Sequence, residues 1–353
     1  MHKLLSTNTF RRLLLGWDEN MNQRRMPWKG EKDPYRIWLS EVILQQTRVE
    51  QGLGYYERFI ERYPTIVDLA HAPEQEVFKL WEGLGYYSRC RNLLATAKQV
   101  AFEMGGHFPD DFSAILKLKG VGPYTAAAIA SFAYNLPYAV IDGNVFRVLS
   151  RVYGIGTPID SIEGKKQFVL LADELLDRKQ PGRYNQALMD FGATVCKPAA
   201  PLCASCIFKS KCVAFQTDNI AAYPVKKAKP QVAKRYFHFF LIEHKNQLPT
   251  RERTGKDIWR HLHEFPLIEL DKEDADGAIA HALENGWISA DDEIVSVSAA
   301  MSQTLTHQKI TARFIHIKTK RKPKAFSGFH WVSRQELSFF PFPKLINQYL
   351  QGQ

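Results

Sequence analysis

Four cysteines, Cys196, Cys203, Cys206 and Cys212, form a C-x6-C-x2-C-x5-C run in a chain of 353 residues. Four thiolates held that closely on one loop make a metal centre, and the spacing suits either a tetrahedral zinc ion or an iron–sulfur cubane. With sulfur at every ligand position, none is left open for substrate. The fifth cysteine, Cys90 in GLGYYSRCRN, stands far away and reads as a packed thiol.

Two carboxyl groups have the setting for acid–base work. Glu41, in IWLSEVILQQ, shares a helical face with Ile37 and Leu44, so a carboxyl sits in an otherwise apolar line. Desolvation raises the pKa of such a group and makes it a general acid near neutral pH. A buried ion pair with Arg36 or Arg48 is the structural alternative. Asp142 and then Asn144 open a second helix, after the apolar stretch AVI in AVIDGNVFRVLSR.

Between the carboxyls lies FSAILKLKGVGPYTAAAIASFAY. This segment offers a short helix, the turn Gly120-Val121-Gly122, and Pro123 where a first helical position belongs. Two glycines permit backbone conformations closed to other residues. Free N–H groups opening the next helix make an anion site that grips a phosphate without reading sequence.

The elements that must position these groups are helical from Thr9 to about Gln216, punctuated by Gly and Pro, with no βαβ alternation. A basic, Pro-containing stretch at 217–234 reads as a linker. Beyond it, YFHFFLIEH, DEIVSVSA and ITARFIHIKT are strand-like, with helical stretches near residues 275–286 and at the end. The expectation is an all-α domain at 1–216 followed by an α+β domain at 235–353.

The composition, 45% apolar and 24% charged, is that of a globular chain, and no apolar run approaches the roughly 18 residues of a spanning helix. The start, broken by Arg11, Arg12 and Asp18, does not read as a signal peptide, so a cytoplasmic, nucleoid-associated protein with no membrane partner is expected. A net charge of +10 favours polyanionic partners.

Together, LKGVGPYTAAAIASFA, VIDGNVFRVLSR and the cysteine run resemble the helix–hairpin–helix/Gly-Pro-Asp class of DNA glycosylases, the endonuclease III superfamily. MPWKGEKDPYRIWLSEVILQQTRVE, WEGLGYYSRCRNLL, Tyr124 and the second domain narrow the resemblance to adenine DNA glycosylases of MutY type. It is strong over 24–216 and thinner from 235 onward.

The resemblance implies a base-excision enzyme that removes adenine opposite 8-oxoguanine or guanine from double-stranded DNA, with a [4Fe–4S] cluster on the four cysteines. Glu41 is implied as the acid acting on adenine and Asp142 as the catalytic stabiliser of the cationic sugar; the deprotonated Glu41 or a neighbouring polar group such as Asn144 then places the water. Lyase-competent relatives carry a lysine where this chain has Tyr124, which implies a monofunctional enzyme, and Tyr124 is implied to hydrogen-bond near Asp142.

Gln46 and Tyr86 match the family's intercalating positions, with Gln45 and Tyr87 beside them, and Arg48 is a candidate for holding the flipped base. Lys197, Lys209 and Lys211 on the cysteine loop are candidates for phosphate contact. The second domain resembles a Nudix-like module without a pyrophosphatase box. Its Leu305, Thr306 and His307 match the family's lesion-recognition loop. The segment DIWRHLHEFPLIEL departs from the family's opening of that domain. A monomer is expected. A mismatch thymine glycosylase, or an endonuclease III-like enzyme on the same fold, is the nearest rival reading; a non-enzymatic, cluster-bearing DNA binder is the other.

Overall fold

The computed structural model describes residues 5–227, 232–305, 307–326 and 328–352. The chain separates into two compact units. One comprises the chain up to His71 and from Arg91 into the linker; the other comprises Ala72–Cys90 and the chain after the linker.

The first unit is helical: α1 (Thr7–Asn20), α2 (Pro34–Leu44), α3 (Val49–Arg62) and α4 (Ile66–His71) precede the excursion. The excursion carries α5 (Glu74–Leu80) and the first turn of α6 (Ser88–Glu103), whose remainder returns to the first unit. Then come α7 (Phe112–Lys117), α8 (Pro123–Tyr134), α9 (Gly143–Tyr153), α10 (Ile162–Leu175), α11 (Pro181–Thr194) and the short α12 (Val213–Gln216).

Local sequence explains the helices that matter most. Asp33 caps α2 through the Tyr35 N–H, with Pro34 at the first position, and α2 is buried at Tyr35 and from Ile37 through Ile43. The alanine-rich α8 is buried from Thr125 to Ser131 and packs against α2 and α11. Helix α11 also packs on α9. A core of Phe10, Leu14, Trp17, Leu149, Phe191 and Phe208 backs this arrangement.

Sequence reading placed 72–90 inside the helical domain, whereas the fold groups it with the second unit. The reason is side-chain chemistry: Glu82 Oε1 accepts hydrogen bonds from Phe342 N (3.1 Å) and Asn347 Nδ2 (2.8 Å), partners some 260 residues away.

The second unit is built on a five-stranded sheet in which β1 (Ala233–Glu243) runs parallel to β7 (Gln308–Lys318). The pair is flanked by antiparallel β4 (Leu267–Leu270) on one side and by β5 (Glu293–Val297) and β6 (Met301–Thr304) on the other. A smaller antiparallel sheet joins β3 (His263–Glu264), β2 (Gln247–Glu252) and β8 (His330–Ser333).

Alternation along β1 explains the layering. Phe237, Phe239 and Leu241 face a core completed by α14 (Lys344–Gln351), while Phe240 and Ile242 face one completed by α13 (Ala275–Glu284). Among the described residues no helix is long and apolar enough to cross a membrane.

Candidate active site

Glu41, 6% exposed, lies in the middle of the buried run of α2. Its partner is neither Arg36 nor Arg48: Arg36 pairs with Glu31 (3.6 Å) and Asp33 (3.7 Å) on the surface. Instead the Tyr124 hydroxyl donates to Glu41 Oε2 at 2.6 Å. Burial pushes the Glu41 carboxyl up to about 7, against the lowering effect of that hydrogen bond, and the Asp142 charge raises it further. The two carboxyls, 101 positions apart in sequence, therefore feel each other in one site.

Asp142 is the N-cap of α9, its Oδ1 accepting from Val145 N at 2.8 Å. Asn144 Nδ2 donates to its Oδ2 at 2.6 Å. Burial raises its pKa, and the hydrogen bonds from Val145 and Asn144 counter that rise. Tyr124 hydrogen-bonds Glu41, the carboxyl that feels the Asp142 charge, and its hydroxyl also lies 3.9 Å from Met189 Sδ. Asn144 donates one amide N–H to Asp142 and is half-buried.

Arg147 and Asp190, unnoticed in the sequence, secure the surroundings. Arg147 donates to Asn144 Oδ1 (2.8 Å), to Gly192 O (2.6 Å) and to Cys196 O (2.7 Å), tying α9 to α11 and to the first cysteine. Its i+3 spacing from Asn144 was a visible signal. Close approach of α11 requires Gly192, where a Cβ would stand 2.6 Å from that of Asn144.

The Asp190 side chain is fully buried. It accepts from Asn22 (3.0 Å), Arg24 (2.9 Å), Lys29 (2.9 Å) and Gln186 (2.9 Å), strapping residues 22–29 to α11. No local signal announces this, because most of its partners lie over 160 positions away.

The hairpin turns at Gly120, with φ +77° and Asn92 2.6 Å from where a Cβ would be. Gly122 corrects the two-glycine expectation: its φ is −94°, open to any residue, and nothing crowds it. Its small size leaves the start of α8 accessible from outside.

Gln46 is exposed with φ +59°, while neighbouring Gln45 reaches Thr125 at 3.3 Å. In the second unit Tyr86 is 48% exposed with φ +47°, whereas Tyr87 is 7% exposed and stacks on Phe78. Trp81 is core. Arg48 is exposed at the N-cap of α3. Leu305 packs on the second unit's core and His307 is exposed; Thr306 lies outside the described residues.

Cys196, Cys203, Cys206 and Cys212 are half-buried and not in disulfides, and Cys90 is buried. Among the described residues, no three Cys, His, Asp or Glu side chains stand ready to grip a single ion. The donor chemistry nonetheless fits a thiolate-bound group. Phe208 N points at Cys206 Sγ (3.4 Å) and Arg151 Nη1 at Cys196 Sγ (3.5 Å), donors that suit anionic sulfur. Burial, reinforced by neighbouring sulfurs, pushes the Cys206 thiol up to about 11 and raises Cys203 and Cys212. A bound cation would relieve that cost.

Comparison with known proteins agrees with this geometry. Residues 39–171 match the family model of the HhH-GPD superfamily base excision DNA repair proteins, and 238–352 match that of the NUDIX domain. An adenine DNA glycosylase of Buchnera aphidicola (subsp. Schizaphis graminum) is 35% identical over 260 residues, covering 74% of this chain and 75% of that protein. The chain belongs to the adenine DNA glycosylases.

The adenine DNA glycosylase of Homo sapiens is 44% identical over 216 residues, covering 59% of this chain and 39% of that protein. A solved thermostable thymine-DNA glycosylase is similar at 30% identity and TM-score 0.55, over 60% of this chain and 97% of that one. An endonuclease III–DNA complex, at 21% identity and TM-score 0.51 over 61% and 99% of the two chains, shares the fold. This glycosylase is accordingly a DNA N-glycosylase of base excision repair, a hydrolase whose substrate is DNA.

Proposed function

We propose that the enzyme hydrolyses the N-glycosidic bond of adenine paired with 8-oxoguanine or guanine and stops at the abasic site. The observation that carries this reading is the buried Glu41, held by Tyr124 within the field of Asp142. Its pKa near 7 leaves a proton available at neutral pH.

Glu41 gives that proton to N7 of the extruded adenine. The C1′–N9 bond breaks, its electron pair leaves with the purine, and positive charge develops on the sugar. Asp142, kept ionised by Val145 N–H and the Asn144 amide, faces that charge. Water adds to C1′ and returns its proton to the Glu41 carboxylate. Tyr124 offers no amine for a Schiff base, which supports a reaction without strand cleavage.

The same proposal assigns Gln46 and Tyr86 to filling the gap left by the base, Arg48 to the extruded nucleotide, and the turn at Gly120 and Gly122 to a phosphate. Leu305, Thr306 and His307 read the oxidised purine. The exposed Lys209 and Lys211 and the half-buried Lys197 extend the phosphate contact. Cys196, Cys203, Cys206 and Cys212 hold a [4Fe–4S] cluster, which supplies no bond-breaking chemistry and fixes the loop. The enzyme acts as a monomer.

Incubation with duplexes bearing A·8-oxoguanine, A·G and T·G, followed by hot alkali, tests the reading. Strand breaks at adenine, fastest opposite 8-oxoguanine and absent without alkali, are expected. Thymine release with adenine untouched, or cleavage without alkali, would overturn it.

A further inference from the structure

Residues 318–324 read KTKRKPK, five cations and no acid in seven positions. They leave the end of β7 and lead through a short 3-10 turn (Lys324–Phe326) to β8. Lys318, Lys320, Arg321, Lys322 and Lys324 are all exposed. Among the described residues, Lys318, Lys320, Arg321 and Lys324 have no ion-pair partner.

This run is anchored. Thr319 Oγ1 donates to Arg321 O (2.8 Å) and accepts from Arg321 N (3.3 Å), while Thr319 N donates to Glu243 O (2.9 Å). Lys322 Nζ donates to Gln247 Oε1 (3.2 Å) and lies 4.9 Å from the Trp331 ring centroid. A merely solvated charge run gains nothing from such fixing.

The registers Glu243↔Lys318 and Gln247↔Ser333 bring Lys245 and Arg334 to the same end of the unit. Nearby acids are already engaged: Glu243 accepts from His316 (2.8 Å) and Arg334 (3.2 Å), and Glu336 accepts from Ser333 N (2.7 Å). Glu293 faces Lys318 across the ladder, preceded by Asp291 and by Asp292, which accepts from Ser289 N (2.8 Å). The balance stays positive and is concentrated in the 318–324 run, where like charges held this close repel until an anion neutralises them.

We infer that this turn is a second phosphate-binding surface, gripping the backbone of duplex DNA away from the mispair. The chemistry favours duplex over an unpaired strand, since Trp331, the ring available for stacking a base, is half-buried under Lys322. It also lies at the wrong end of the sheet to touch the lesion. Eleven residues of β7 separate it from the turn at His307, about 36 Å at strand rise.

The test is a full-length K320Q/R321Q/K324Q variant, which spares the two lysines nearest the fold. Its affinity for an undamaged duplex of about 40 bp is followed against salt. Each phosphate contact contributes roughly 0.9 to the slope of log K against log salt, so the slope is expected to fall by about 2–3 and affinity by tenfold or more near 0.1 M. Excision of mispaired adenine from a duplex of about 14 bp, centred on the mispair and too short to reach the turn, should keep its wild-type rate. A K320R/K324R variant should retain the parental slope.

An unchanged slope on the long duplex would overturn the inference, even if the turn captured polyglutamate instead. So would an equal loss of excision on the short duplex, or loss of the slope in the arginine variant. Because binding is read on undamaged DNA, failure here is distinguishable from failure of the proposed mispair preference.

Discussion

The carboxyl site of the helical unit and the His307 turn of the second unit are built on opposite plans. Glu41 and Asp142 are enclosed, each with named hydrogen-bond partners, and burial has moved both pKa values. The turn is fastened by backbone hydrogen bonds, Leu305 N to Gln308 O (2.7 Å) and Ala233 N to His307 O (3.1 Å), and by Leu305 packing on the core, with the imidazole in solvent. Proton transfer needs a dry place with fixed protonation, while reading a base needs groups within its reach. Damage to the first plan should cost turnover, and damage to the second should cost choice between partners.

The hardest break is Asp142→Asn. Asparagine caps a helix about as well as aspartate, so the fold and DNA binding should persist while single-turnover excision falls by about 10³-fold or more. Proportional loss of binding would make Asp142 structural.

Glu41→Gln should cost about 10²–10⁴-fold. In the parent enzyme the rate should drop as pH rises through about 7, where Glu41 loses its proton. It should also drop in acid as Asp142 gains one, at a pH above the ordinary aspartate value because burial raises that group. A flat profile between pH 5 and 9 would contradict the Glu41 assignment.

Asp190→Ala strands Arg24 and Lys29 without their buried counter-charge and should destabilise the helical unit by about 3–5 kcal/mol in chemical denaturation. The second unit's turn should not register the change.

Tyr124→Phe sharpens the contrast. The phenol favours ionised Glu41, so its removal raises the Glu41 pKa and should move the alkaline limb to higher pH by up to about one unit. A packing role alone would leave that limb in place.

The smallest effect belongs to His307→Ala. It should narrow the preference for 8-oxoguanine over guanine opposite adenine by a few-fold, about one hydrogen bond's worth, without slowing excision from A·G. An unchanged ratio would remove the turn from recognition.

Much of this was legible because it is local. Helical spacing put Glu41 among Ile37 and Leu44, the apolar stretch before it put Asp142 at the start of α9, and a Gly-Val-Gly followed by proline announced the hairpin. The β-branched and aromatic residues of YFHFFLIEH marked it as a strand.

What stayed hidden depends on partners distant in sequence. Nothing near Asp190 reveals the strap onto residues 22–29. Nothing in WEGLGYY reveals that Glu82 binds Phe342 and Asn347 in the other half of the chain. Tyr124 was noticed for the lysine it replaces, yet its actual partner, Glu41, lies 83 positions upstream. Periodicity reports which face is wet and which is dry; it is silent on which buried oxygen meets which donor.

Gly192 makes the carboxyl site vulnerable to a single carbon atom. An alanine there would meet no nucleic acid and change no charge, but its methyl would collide with Asn144 and wedge α9 from α11. Such a protein would keep every reactive group and still misaim the aspartate, a form of inactivity that inspection of the reactive groups alone would never diagnose.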